Sequence, residues 1–197
     1  ADEIYRPIYF GDDQDEAPGL LDLPAESLGP FVLVDGASKA FAMTGWRIGF
    51  TWSEPSVAKE FAALQSHITS NPASPSQAAA LAAYSNPERA HAAIAEMRVA
   101  FRRRRDLVVG LVDELLPEFS YIAPQGAFYV FLRVDGAFRG EITDATAFCS
   151  WLLTETGVAL VPGGAFGDDR FARMSYATSD EILEDAIRRM AVALRAG

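Results

Sequence analysis

Hydrophobic positions fall into two textures along the chain. Residues 30–35, Pro-Phe-Val-Leu-Val-Asp, form a short apolar run bounded by Gly29 and Gly36, which predicts a buried strand of an α/β sheet. The segment from Trp46 to Trp52 alternates well enough to predict a second strand. A helical pattern follows over Pro55–His67, with Pro55 near the first helical position, and it breaks at Ser70-Asn71-Pro72. Ser74-Pro75-Ser76-Gln77 opens another helix through Tyr84, and Asn86-Pro87-Glu88 caps a long one reaching about Leu116.

Beyond Pro117 the texture changes. Short strands are expected over Phe119–Ile122 and Phe128–Val134, a helix near Thr143–Glu155, strands over Val158–Val161 and Phe171–Tyr176, and a final helix from Ser179. This is an α+β module with helices on one face of a small sheet. The long helix extends too far to serve one compact layer, so it reads as a bridge. The expected organisation is residues 1–86 in one domain, 87–116 as an interdomain helix and 117–197 as a small domain, with no internal repeats.

Composition narrows the possible partners. Half of the 197 residues are hydrophobic and 22% are charged, the profile of a globular protein. A net charge of −10 opposes a phosphate backbone, so nucleic acid is not an expected partner. The one basic run, Arg102–Arg105, lies in the long helix and spreads around it as a solvated, ion-paired surface. Cys149 is the only cysteine, which excludes an intrachain disulfide and a cysteine-cluster metal site and is compatible with a reducing, cytoplasmic setting. No run approaches the roughly 20 apolar residues of a membrane span. His67 and His91 have no spaced acid or Cys partners, so neither a metal site nor a Ser-His-Asp triad is expected.

The chemistry concentrates around Lys39. It follows the first strand by a few residues, and Arg47 comes eight positions later between Gly45 and Gly49. Loops beyond the carboxyl ends of strands form the ligand crevice of open α/β sheets, where a lysine is partly desolvated. Such an amine forms Schiff bases with carbonyl compounds, pyridoxal phosphate (PLP) among them, and Arg47 offers a planar fork to a phosphate.

Ser38-Lys39, five residues, then Gly45-Trp46-Arg47-Ile48-Gly49 resembles the lysine signature of the class I/II PLP-dependent aminotransferases, which have the aspartate-aminotransferase fold (PLP fold type I). Three further segments follow the family's order. Asp2-Glu3-Ile4-Tyr5 resembles the stretch whose Asp pairs with the pyridine nitrogen and whose Tyr bonds the phenolic oxygen. Pro124-Gln125-Gly126-Ala127-Phe128-Tyr129 is similar to a small-domain hairpin, and Phe171-Ala172-Arg173-Met174-Ser175-Tyr176-Ala177 to the strand bearing the substrate-carboxylate arginine. The texture Ala40-Phe41-Ala42-Met43-Thr44-Gly45-Trp46 is nearest to the bacterial aspartate and broad-specificity subgroup. The implied fold is α/β, the C-terminal part of the PLP-dependent transferase fold: the end of a large mixed-sheet domain plus a small α+β domain.

The resemblance implies roles. Lys39 carries PLP as a Schiff base and then serves as general acid/base. Asp2, Tyr5, Ser38 and Arg47 bind the cofactor, Asp2 by keeping the pyridine nitrogen protonated. Arg173 binds the α-carboxylate of amino-acid and 2-oxo-acid substrates. Asn71 lies in a loop that in relatives approaches the neighbouring subunit's cofactor, although its own setting favours a turn-forming role. A homodimer with the site near the subunit interface follows. Pro162–Gly167 is glycine-rich without the spacing of a nucleotide loop and reads as a turn beside the substrate mouth.

Gly36 stands where some members have a Ser. Asp2-Glu3-Ile4-Tyr5 opens the chain with no leader, so an internal start is expected. The family's phosphate turn, ring-stacking aromatic and an Asn near the phenolic oxygen would all precede it. Transamination is therefore the expected activity. A PLP-dependent β-lyase, a non-enzymatic regulatory module of the same fold and a catalytically silent piece are the alternatives.

Overall fold

The computed structural model describes residues 1–11 and 14–196 and divides into two compact units, Ala1–Arg98 and Val99–Gly197. The border falls inside the long helix.

In the first unit, β1 (Val32–Gly36) pairs antiparallel with β2 (Gly49–Ser53), from Val32 opposite Ser53 to Gly36 opposite Gly49. The chain start runs alongside β1: Asp2 forms a parallel bridge with Val34, the Glu3 N–H donates to the Val34 carbonyl at 2.9 Å, and the Val34 N–H donates to the Ala1 carbonyl at 2.8 Å. Between the strands stand α1 (Ala37–Ala40) and a 3-10 turn over Thr44–Trp46. Helices α2 (Pro55–Ile68) and α3 (Ser74–Tyr84) follow, each with a proline in its first turn, where a missing N–H costs no helical bond.

The long helix α4 spans Pro87–Leu115, and Asn86 caps it by accepting from the Arg89 N–H at 3.1 Å. Its buried residues, Phe101, Val108, Leu111 and Val112, all belong to the second unit. There β3 (Tyr129–Arg133), β4 (Val161–Pro162) and β5 (Phe171–Ser175) form an antiparallel sheet in the order β3-β5-β4. Alternation is clear: Val130, Leu132, Ala172 and Met174 are buried, whereas Tyr129, Phe131, Phe171 and Arg173 are half-buried on the other face.

Helix α5 (Ala145–Thr156) packs against β4 and β5. It begins at Asp144, whose Oδ1 accepts from the Ala147 N–H at 2.8 Å, and it ends at Gly157, left-handed at φ 70°. Helix α6 (Asp180–Ala196) buries Leu183, Ala186, Ile187, Met190, Ala191 and Leu194, the i, i+3, i+4, i+7 stripe of an amphipathic helix.

Four strand expectations need correction. Leu33 in β1 is buried, but Val34 is 42% exposed, so this is not a strand buried on both faces. The second strand starts at Gly49 rather than at Trp46, because Arg47 is left-handed (φ 52°) and interrupts the extended run. Around Phe119–Ile122 only Ser120 bridges, to Arg133; Ile122 is 92% exposed and leads into Pro124. The expected strand over Val158–Val161 contracts to Val161–Pro162, where the proline has no N–H to extend the ladder.

Within Arg102–Arg105, Arg103, Arg104 and Arg105 are ion-paired, but Arg104 and Arg105 are half-buried, so the run is solvated only in part. Arg103 and Arg104 both reach Asp180, and Arg105 bonds Asp106 at 2.7 Å and the Pro124 carbonyl at 2.9 Å.

Candidate active site

The segment between β1 and β2 is shaped by a close backbone approach. A Cβ placed on Gly36 would lie 2.8 Å from both Gly49 Cα and the Ile48 carbonyl oxygen, so the strands meet this tightly only because residue 36 has no side chain. Immediately after this pinch, α1 presents Lys39, half-buried, with its Nζ 5.4 Å from the centroid of the Tyr5 ring. Lys39 and Tyr5 are thus neighbours although 34 positions separate them.

The rest of the loop is tied by its own polar groups. Thr44 Oγ1 donates to the Ser38 carbonyl at 3.1 Å, and Arg47 Nη1 donates to the Thr44 carbonyl at 3.1 Å. Ser38, Thr44 and Arg47 therefore form one chain of contacts leading from α1 to the start of β2. Arg47 is exposed. Asp2 is exposed on the bridge to Val34, two residues before Gly36, and its Oδ1 accepts from the Ile4 N–H at 3.2 Å. An amine beside a phenol, with a carboxylate and a guanidinium on adjoining segments, is a donor set that suits an aldehyde-bearing, phosphorylated pyridine.

Asn71 keeps local company. Its side-chain amide donates to the Pro72 carbonyl at 2.8 Å and its N–H to the Thr69 carbonyl at 2.8 Å, in a turn where Ser70 is left-handed at φ 65°. That is the turn-forming role. Arg173 belongs to the second unit, at the middle of β5 opposite Phe131 and Val161. Its guanidinium carbon lies 4.2 Å from the Tyr129 ring centroid and 4.4 Å from that of Phe166, and its Nε is buried without a hydrogen-bond partner.

A cavity of about 440 Å³ opens elsewhere in the first unit, lined by Asp35, Phe41, Phe50, Trp52, Tyr84 and His91 among others, with Lys39 not on its wall. Burial pushes the Asp35 carboxyl above its ordinary value, against the Gly36 N–H that it accepts at 2.6 Å; Glu3, Asp2 and Glu16 add to the rise. Burial, helped by the Asp35 charge, pushes the Tyr84 phenol up to about 12. Among the described residues, no group of three or more His, Cys, Asp or Glu side chains could hold a metal ion, and no helix is long and apolar enough to cross a membrane.

Two features escaped the sequence reading. Arg6 clasps residues 16–22: its Nε donates to the Ala17 carbonyl at 3.0 Å, and its Nη2 donates to both Asp22 oxygens at 3.0 Å. Glu3 joins it by accepting from the Leu20 N–H at 2.6 Å. The other is the aromatic pair beside Arg173. The expected turn at Pro162–Gly167 is present as a 3-10 turn over Gly163–Phe166, but nothing in its composition indicated which side chain Phe166 would touch.

Residues 1–190 match the family model described as aminotransferase class I and II. The aspartate/prephenate aminotransferase of Cereibacter sphaeroides is 41% identical over 202 residues, covering 96% of this chain and 48% of that protein. The aspartate aminotransferase of Geobacillus stearothermophilus is 38% identical over 191 residues, covering 96% and 47%. Among solved structures, the aspartate aminotransferase of Rhizobium meliloti superposes with a TM-score of 0.86 at 36% identity, covering 98% of this chain and 48% of that one. The aromatic aminotransferase of Pyrococcus horikoshii does so with a TM-score of 0.85 at 34% identity, covering 99% and 50%. The chain spans about half the length of the curated relatives it matches.

Proposed function

Because this chain belongs to the class I and II aminotransferase family, we propose that it carries the lysine-bearing part of a PLP-dependent enzyme that moves an amino group between an amino acid and a 2-oxo acid. The observation that carries the reading is the meeting of Lys39 and Tyr5 directly after the Gly36–Gly49 pinch. Aspartate aminotransferases are PLP-dependent, and the donor set around Lys39 suits that cofactor.

In this reading Lys39 Nζ is the covalent attachment point and later the base that takes the proton from the substrate's Cα and returns one. Tyr5, beside that amine, donates a hydrogen bond to the phenolic oxygen of the ring. Asp2 holds a proton on the pyridine nitrogen, since a carboxylate next to a cation favours the charged form. Arg47 and Ser38 bind the phosphate, and the bond from Arg47 to Thr44 orients the guanidinium for it. When bound, PLP supplies the electron sink that stabilises negative charge at the substrate's α-carbon.

Arg173 takes the substrate carboxylate, and Asn71 shapes the turn of a loop that approaches the neighbouring subunit's site, where it contacts substrate. Residues 1–86 belong to the cofactor-binding domain, 87–116 to a linking helix and 117–197 to the small domain. The protein works as a homodimer in the cytoplasm, and the buried, solitary Cys149 is in keeping with a reducing setting.

The test is an amino-transfer assay. The protein with PLP and aspartate or an aromatic amino acid is expected to yield the matching 2-oxo acid together with an equal amount of new amino acid from added 2-oxoglutarate. With an amino acid that carries a leaving group on Cβ, such as O-acetylserine, continuous release of pyruvate, ammonia and the departing group without an amino-group acceptor would instead show β-elimination.

A further inference from the structure

Arg173 sits in an unusual setting for a surface-facing cation. Its sequence neighbours Ala172 and Met174 are turned into the core, 0% and 4% exposed, so its side chain projects from the opposite face of the sheet. There it meets Tyr129, its diagonal neighbour on β3, and Phe166 from the 3-10 turn after β4. Gly163 begins that turn where a Cβ would collide with the Asp168 and Phe171 carbonyl oxygens, so backbone packing fixes the point from which Phe166 projects.

Phe166 is in turn braced edge-on by Phe131 at 6.0 Å between centroids, and Phe131 stacks on Phe171 at 4.8 Å and 13°. Tyr129 packs against Phe128 at 4.6 Å. Each ring touching Arg173 is therefore itself held. Meanwhile Arg173 Nε is buried with no acceptor, a state that costs free energy unless an acceptor arrives.

We propose that Phe166 and Tyr129 are positioning residues for substrate recognition: their rings restrict the orientation of the Arg173 guanidinium before a substrate carboxylate docks. The proposal rests on the reading of Arg173 as the carboxylate-binding residue. A planar, weakly hydrated guanidinium gains from aromatic faces and loses little freedom on docking if its orientation is already set. Either ring's loss should then appear in ground-state binding of the carboxylate, raising KM more than it lowers kcat.

The experiment measures the Kd of succinate, an unreactive dicarboxylate, by calorimetry on the protein and its variants, with thermal melting to confirm folding. Phe166 is 48% exposed, so Phe166→Leu is expected to fold. Phe166→Leu and Tyr129→Leu should each weaken succinate about 3- to 10-fold, between the scales of an exposed and a desolvated cation–π contact. Phe166→Tyr and Tyr129→Phe, which keep the ring, should stay within about twofold on the same reasoning.

The Nε–H resonance of Arg173 in NMR spectra provides a second readout. Ring currents should displace it, and Phe166→Leu should return it towards the position of exposed arginines. Arg173→Gln separates the two layers of the argument. If that variant binds succinate as well as the unmodified protein, or if the unmodified protein does not bind it, the carboxylate reading falls. If Arg173→Gln abolishes binding while both leucine variants keep the original Kd and the Nε–H resonance does not move, the positioning role is overturned and the carboxylate reading stands.

Discussion

Replacing Gly36 by alanine tests the geometry that delivers Lys39. The added methyl would sit 2.8 Å from Gly49 Cα and from the Ile48 carbonyl oxygen and 3.4 Å from Ile4 Cδ1. The first two are backbone atoms and cannot rotate aside. Gly36 is extended (φ 175°, ψ 172°), so alanine is not strained in its own dihedrals and even gains roughly 0.5–1 kcal/mol through the less flexible unfolded chain. Against that stands overpacking, typically about 1–3 kcal/mol. Overpacking wins, for a net loss of about 1–2 kcal/mol and a fall in melting temperature of roughly 2–8 °C for a chain of this size.

Gly110→Ala is the matching control. That glycine lies exposed inside α4 with nothing within 4 Å of its would-be Cβ, so alanine should stabilise by about 0.5–1 kcal/mol. Chemical denaturation followed by circular dichroism reads both variants, and amide hydrogen exchange over β1 and β2 localises the Gly36 effect. If Gly36→Ala proved neutral or stabilising while Gly110→Ala behaved as expected, the strands would not meet as described.

Three further outcomes are expected. The raised Asp35 carboxyl contributes stability that is fully present below its ordinary range, near 3.8, and is lost as pH rises through its higher folded value; Asp35→Asn should therefore be the more stable protein at pH 7, with the advantage vanishing in acid denaturation series near pH 3. Asp168, which accepts from the Arg170 side chain and N–H, is held down to about 2, so its contribution is present above about pH 3.8 and fades as pH falls towards 2; a carboxyl-carbon NMR titration should show that midpoint, and Arg170→Gln should move it up. Asp144→Ala removes the cap of α5 and should cost about 1 kcal/mol in denaturant unfolding of the second unit.

What the sequence makes legible follows from where the information lies. The family is readable because the motif around Lys39 is contiguous, and the long helices because their caps and breaks are local: Asn86 caps α4 where its sequence position suggests. The strands were read less well. Their ends depend on single backbone states such as the left-handed Arg47 and on whether a partner continues, which Ser120 shows by pairing with Arg133 alone. The Arg6–Asp22 clasp obeys no helical or strand period. The ring beside Arg173 comes from a turn seven residues earlier in the chain, delivered by backbone packing at Gly163, and no spacing rule encodes it.

If Lys39 is the cofactor lysine, the chain supplies its own control, since Lys59 is the only other lysine and stands exposed on α2. The protein would be incubated with stoichiometric PLP, reduced with borohydride, digested and examined by mass spectrometry. A pyridoxyl adduct on the Lys39 peptide, with Lys59 unmodified and the adduct abolished in Lys39→Ala, is the predicted result; labelling confined to Lys59, or divided equally between the two lysines, would contradict it.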